Sequence, residues 1–132
     1  MLLRASFGLV ALVWATAASA QDGPSKYPSR PIHVIVGFAA GGGNDVIARI
    51  YAQKLSQDLG QPVIVENKPG AGAIVATEYV SKAAPDGYTL LIGASGMAIN
   101  QSLYARLPYD SVRDFVAISE LASFPLILVV NA

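Results

Sequence analysis

A chain of 132 residues, 53 % of them apolar and 14 % charged, has room for one ordinary domain and is too apolar for a disordered, collagenous or coiled-coil protein. Nine Lys and Arg balance nine Asp and Glu without a basic run, so a phosphate-tracking protein is excluded and no nucleic-acid partner is expected. The absence of cysteine removes disulfides, cysteine zinc sites and thiol nucleophiles together.

Residues 1–20 read as a signal peptide: Arg4 supplies a short positive region, Ala5 to Ala17 an apolar stretch, and Ala18-Ser19-Ala20 a small-x-small cleavage site. The other reading is an uncleaved anchor, against which stands an apolar stretch shorter than the ~20 residues that a spanning helix requires. Residues 21–30 form a polar linker, and residues 31–132 are expected to be a single α/β lobe.

Pro31 to Phe38 is short, apolar and β-branched, which predicts a buried strand running into Ala39-Ala40-Gly41-Gly42-Gly43. From Asn44 to Leu59 the apolar residues Val46, Ile47, Ile50, Tyr51, Leu55 and Leu59 recur at helical spacing, and Gly60 followed by Pro62 gives a stop signal. The pattern then repeats. Pro62 to Glu66 predicts a second strand; Ala71 to Ala84 predicts a helix with Ile74, Val75, Tyr79 and Val80 inward and a Glu78–Lys82 pair; Tyr88 to Ala94 predicts a third strand. Apolar strands alternating with helices argue for a parallel sheet covered on both faces. Further on, a short helix is expected over Gly96 to Leu103, a helical turn over Val112 to Phe115, and two strands over Phe115 to Ala122 and Leu126 to Val130. The chain then stops directly after an apolar run, which reads as a truncation.

In an open parallel sheet ligands bind beyond the carboxyl ends of the strands, so the loops after the strands are the candidates. Gly41-Gly42-Gly43-Asn44-Asp45 offers backbone N–H groups at a helix N-terminus to an anion such as a carboxylate or phosphate; alternatively the glycines only turn the chain and Asn44 or Asp45 caps the helix. Gly93-Ala94-Ser95-Gly96 follows the third strand, with Ser95 either a hydroxyl donor or an N-cap. Lys68, in the loop after the second strand, either adds positive potential or is simply solvated. Enzyme motifs fail. There is no Gly-Lys-Ser/Thr, the dinucleotide spacing breaks at Val46 and Val75, and a nucleophile elbow breaks at Met97. His33 lies within the first strand, where a surface position outweighs a role as base, and the carboxylates show no pairing suggestive of acid–base work. No catalytic residue, metal site or cofactor is therefore expected.

Tyr27-Pro28-Ser29-Arg30-Pro31-Ile32, Phe38 through Asp45 with Ala48-Arg49, Leu59 through Val63, Val65 through Gly72, Ala83 through Leu91, Asn100, Ser102 through Tyr104, Leu107 through Asp110, and Asp114-Phe115 together form an ordered series. It resembles the N-terminal part of the Bug-type substrate-binding proteins of tripartite tricarboxylate transporters. That resemblance implies a lobe of a type II periplasmic-binding-protein fold whose second lobe is missing from this chain. It also implies a periplasmic receptor without catalysis, a small carboxylate as ligand, and the membrane components of the transporter as partners. It points to the loops after the first and third strands as the ligand site: Phe38, Ala39, Gly41, Gly42, Gly43, Asn44, Asp45, Ala94, Ser95, Gly96 and Met97. The departures are Ala39-Ala40, where the family commonly has two prolines, and Ala73 and Val75, where glycine is common. Two other classes stay open: a truncated, non-binding remnant or module pairing through its strand edge, and a small secreted hydrolase, for which no nucleophile and base are apparent.

Overall fold

The computed structural model describes residues 27–125 and 127–130; the expected leader and most of the linker lie outside the described residues. Three strands, β1 (Ile32–Val36), β2 (Val63–Asn67) and β3 (Thr89–Ile92), form one parallel sheet in the order β2-β1-β3. Val36 at the end of β1 lies opposite Asn67 on one side and Ile92 on the other, so the three strands end level. Helix α1 (Gly43–Leu59) follows β1, α2 (Ile74–Ser81) follows β2 after a 3-10 turn at Ala71–Ala73, and α3 (Ser95–Leu103) follows β3.

Side chains alternate across a strand, and here both faces are covered, as continuous apolar strands require. Val34 and Val36 point to one face, where Ala48 of α1 completes a core with Phe38, Val63, Val65, Leu90 and Ile92. Ile35 points to the other, fully buried, where Ala76 and Thr77 of α2 are also buried. His33 shares that second face, and its Nδ1 pairs with the Glu66 carboxylate across the sheet, a surface position as expected from the sequence. This contact, aided by Lys68, holds the Glu66 carboxyl below its usual range.

The helices are where the sequence places them, but their buried faces differ from expectation. In α1 the buried stripe is Asp45, Ala48 and Ala52, whereas Ile50 is 62 % and Val46 48 % exposed. In α2 it is Ala76 and Thr77 that are buried, with Val75 and Tyr79 exposed. Small side chains thus occupy the buried faces of both helices, and several of the bulkier apolar ones fall outside them. The predicted Glu78–Lys82 pair is formed.

At the amino ends of the strands a polar clasp ties the start of the domain to the turn before β3. Tyr27 Oη donates to the Gly87 carbonyl at 2.7 Å, the Ser29 N–H donates to Tyr88 Oη at 2.9 Å, and Arg30 pairs with Asp86 at 2.8 Å while lying 4.0 Å over the Tyr88 ring.

Past α3 the expected helical turn is present at residues 111–114, where Asp110 accepts the Val112 and Arg113 N–H groups. The two strands expected over Phe115 to Ala122 and Leu126 to Val130 are absent among the described residues. An apolar run becomes a strand only beside a neighbour that accepts its ladder bonds. Among the described residues, residues 115–122 are tied to the sheet-and-helix body instead by a hydrogen bond from Tyr51 Oη on α1 to the Leu121 carbonyl, at 2.8 Å.

Candidate functional site

The order β2-β1-β3 makes the gap between β1 and β3 a point where connections leave in opposite directions. The chain passes from β1 through α1 to β2 on one side, then from β2 through α2 to β3 on the other. Such a reversal opens a crevice at the carboxyl ends of the strands. Here the N-termini of α1 and α3 both open onto that edge.

The loop after β1 is held from beneath by hydrogen bonds. Asp45, in the first turn of α1, has a side chain only 3 % exposed. Its Oδ2 accepts the Gly41 N–H at 2.8 Å and Arg49 Nε at 2.9 Å, and its Oδ1 accepts Asn67 Nδ2 at 2.9 Å. The same Asn67 amide donates to the Phe38 carbonyl at 3.1 Å and accepts from Arg49 Nη2 at 3.2 Å. The guanidinium of Arg49, then the Gly41 and Asn67 donors, hold the Asp45 carboxyl far below the usual carboxylate range. Gly42 is the N-cap and contributes no side chain, so neither Asn44 nor Asp45 caps the helix. Gly42 donates to the Ala39 carbonyl at 3.3 Å, and its own carbonyl accepts the first helical bond, from Val46 at 3.0 Å. The N–H groups of Gly43, Asn44 and Asp45 have no acceptor among the described residues, which is the state of a helix N-terminus that can receive an anion.

At α3 the N-cap is Ala94, not Ser95. Ala94 accepts the Met97 N–H at 2.8 Å, and the exposed Ser95 hydroxyl has no partner among the described residues. The loop after β2 closes the third side. Asn100 of α3, buried, donates from Nδ2 to the Gly72 carbonyl at 3.3 Å, and Gly37 packs so closely on Ala73 that a Cβ there would overlap it.

The sequence-predicted residues thus divide by what their atoms do. Gly43, Asn44, Asp45, Ser95 and Gly96 present unpaired donors at the edge. Phe38, Ala39, Gly41, Gly42, Ala94 and Met97 shape it, with the Gly41 and Met97 N–H groups and the Phe38, Ala39 and Ala94 carbonyls already bonded within the loops. Arg49 and Asn67 were not among the predicted site residues, although Asp45 and Arg49 stand four apart on one helix and Asn67 ends the neighbouring strand. Lys68 points away: its Nζ lies 4.3 Å from the Tyr79 ring centroid and 3.6 Å from Glu66. A separate apolar cavity of about 1060 Å³, lined by Ala52, Leu55, Leu90, Phe115 and Leu121 among others, lies alongside α1 and reaches Gly93 after β3 and Met97 in the first turn of α3. Among the described residues no cluster of His, Cys, Asp and Glu could hold a metal ion.

The sequence and the fold have counterparts in known proteins. Over 126 residues the chain is 42 % identical to Protein BugT of Bordetella pertussis, a match covering 93 % of this chain and 39 % of that one. The structure of the periplasmic binding protein BugD is 43 % identical and superposes with a TM-score of 0.65 over 67 % of this chain and 30 % of its own. MatC from Rhodopseudomonas palustris, solved with bound malate, is 38 % identical and superposes with a TM-score of 0.60 over 67 % of this chain and 31 % of its own. The chain spans less than two fifths of the length of the curated relatives it matches. Its parallel sheet with flanking helices corresponds to one lobe of these structures. Residues 47–132 match the profile described as the tripartite tricarboxylate transporter family receptor, and with that match the chain belongs to this family of periplasmic solute receptors, which are not enzymes.

Proposed function

We propose that this chain is the N-terminal lobe of an extracytoplasmic receptor that binds a small carboxylate and delivers it to the membrane components of a tripartite tricarboxylate-type transporter. Residues 1–20 would direct export and be cleaved off on translocation. The observation that carries the reading is the pair of helix N-termini at the β1/β3 crevice. There the N–H groups of Gly43, Asn44 and Asp45 at one helix start, and the Ser95 hydroxyl and the Gly96 N–H at the other, have no protein partner among the described residues. Unpaired donors and two positive helix ends favour an anion, and a carboxylate is small enough to accept several of them at once. MatC, a similar protein, holds malate. Isothermal titration of the full-length mature receptor containing this lobe with malate, succinate, adipate and citrate tests the reading, with an uncharged amide as control. Binding of at least one carboxylate and none of the amide is the expected result, and heat from no carboxylate counts against it. Gly43→Leu sharpens the test, because a Cβ at Gly43 meets nothing within 4 Å while a longer side chain would lie over the donors. Affinity should fall at least about tenfold with the fold intact.

A second reading, association with another chain through an exposed apolar surface, is favoured by one observation. The apolar side chains of Val116, Ile118 and residues 127–130 are 79–93 % exposed. Light scattering behind a sizing column distinguishes it by a single defined oligomer in the absence of carboxylate.

A further inference from the structure

We infer that the side chains of Asp45, Asn67 and Arg49 form a closed positioning ring that fixes the carboxylate-binding loop in its binding conformation without those side chains touching the ligand. The inference rests on the receptor reading above and adds to it the residues that set the geometry of the site.

The chemistry of Asp45 poses the problem. A carboxylate in the first turn of α1 is well placed for the helix dipole, yet it is a negative charge beside a site argued to bind an anion. Its surroundings resolve the conflict. Both oxygens are occupied from below by Gly41, Arg49 and Asn67, its side chain is almost wholly buried, and Arg49 supplies the compensating charge at 2.9 Å. Asn67 then joins three separate pieces of chain: its Nδ2 reaches Asp45 on α1 and the Phe38 carbonyl leaving β1, while its own backbone ends β2. Arg49 closes the ring by bonding both Asp45 and Asn67. One further consequence follows for the loop. The Gly41 N–H is drawn down to Asp45 and so leaves the set of ligand donors, and the chain beyond it enters α1 with the next donors in line at Gly43 and Asn44. With alanines at 39 and 40, no proline stiffens this loop, so its order depends on these side-chain bonds.

Charge and position make opposite predictions for Asp45→Asn. Removal of a negative charge alone would tighten binding of a dicarboxylate. Loss of the ring would weaken it, because an amide cannot accept from Gly41, Arg49 and Asn67 together. Three variants of the full chain, Asp45→Asn, Asn67→Ala and the surface-safe Arg49→Lys, are titrated with malate, succinate, adipate and citrate. The Gly41 amide exchange rate is read by NMR in the absence of ligand. Expected are about a tenfold loss of affinity in Asp45→Asn and Asn67→Ala, a smaller loss in Arg49→Lys, and faster Gly41 exchange in all three with unchanged far-ultraviolet circular dichroism. Should Asp45→Asn or Asn67→Ala fail to fold, Arg49→Lys alone decides, since its side chain is half exposed. Tighter binding in Asp45→Asn, unchanged Gly41 exchange, or faster exchange with unchanged affinity each overturns the ring. If the parent binds no carboxylate the receptor reading itself fails, and the Gly41 exchange still reports whether the ring orders the loop.

Discussion

Asp45 ties the pH response of the protein to the shape of its loop. Its carboxyl has a folded value well below the ordinary 3.8, so the folded state holds the ionised form more tightly than the unfolded chain does. The associated stability is complete above about pH 4 and drains as the pH falls below the unfolded value towards the folded one. Asp45→Asn should therefore flatten the acid limb of a stability–pH curve measured by urea titration between pH 2 and 6; a curve superimposable on the parent would exclude the contribution. Gly37 makes the complementary case, of a residue chosen for what it lacks. A Cβ there would overlap that of Ala73 and press on that of Ala76 at 3.2 Å. Gly37→Ala should cost about 1–3 kcal/mol. Ala73 itself sits at φ +71°, a left-handed conformation that costs a non-glycine residue about 1–2 kcal/mol. Ala73→Gly should accordingly raise the melting temperature, and combined with Gly37→Ala it should recover part of the loss, a non-additivity that thermal melts of the four proteins would show. The glycine run, Ser95 and Asp45 could be found from sequence because their types are informative by themselves. Asn67 and Arg49 could not, since their role exists only once β1, β2 and α1 are side by side.

The strands and the three helices were legible because strand β-branching, helical spacing and Gly and Pro stops agree over Pro31 to Leu103. Gly60 shows how local that information is: it takes φ +66° as the helix C-cap, and its N–H returns to the Ser56 carbonyl at 3.1 Å. Gly60→Ala should destabilise by about 1 kcal/mol, read as a shift in the urea midpoint without a change of slope. The buried face of α1 was misjudged for an equally physical reason. Periodicity of large apolar residues marks the face that water disfavours, whereas the face that meets the sheet is chosen by fit, and Ala48 and Ala52 fit closer than Ile50 could. Ala48→Leu should then cost more than Ile50→Ala, against the order that hydrophobicity alone gives. The strands expected beyond Phe115 failed for want of a neighbour: alternation and β-propensity describe a side chain's preference, and a ladder also needs backbone alongside.

The fold as it stands joins a well-covered sheet to a terminal stretch that contributes little to it. Residues 116–125 are almost entirely exposed, with Phe124 63 % accessible, whereas Phe38 belongs to the core cluster and Tyr88 to the polar clasp. Limited thermolysin digestion, which cleaves ahead of large apolar residues, should cut at Ile118, 79 % exposed, well before Phe38 or Leu90 of the core cluster, leaving a resistant core that mass spectrometry can weigh; simultaneous cleavage at all three would contradict this difference. The sheet also has two ends with different occupations. The donor loops stand at the carboxyl ends of the strands, and the Tyr27–Ser29–Arg30 clasp with Asp86, Gly87 and Tyr88 stands at the amino ends. Whatever is joined ahead of Tyr27 therefore departs from the pole opposite the crevice, about five residues of strand away. A sensor chip or fluorophore coupled through the amino terminus would hold the protein with its donor loops facing the solution, and a capture assay built that way would leave the diffusion path of a small anion unobstructed.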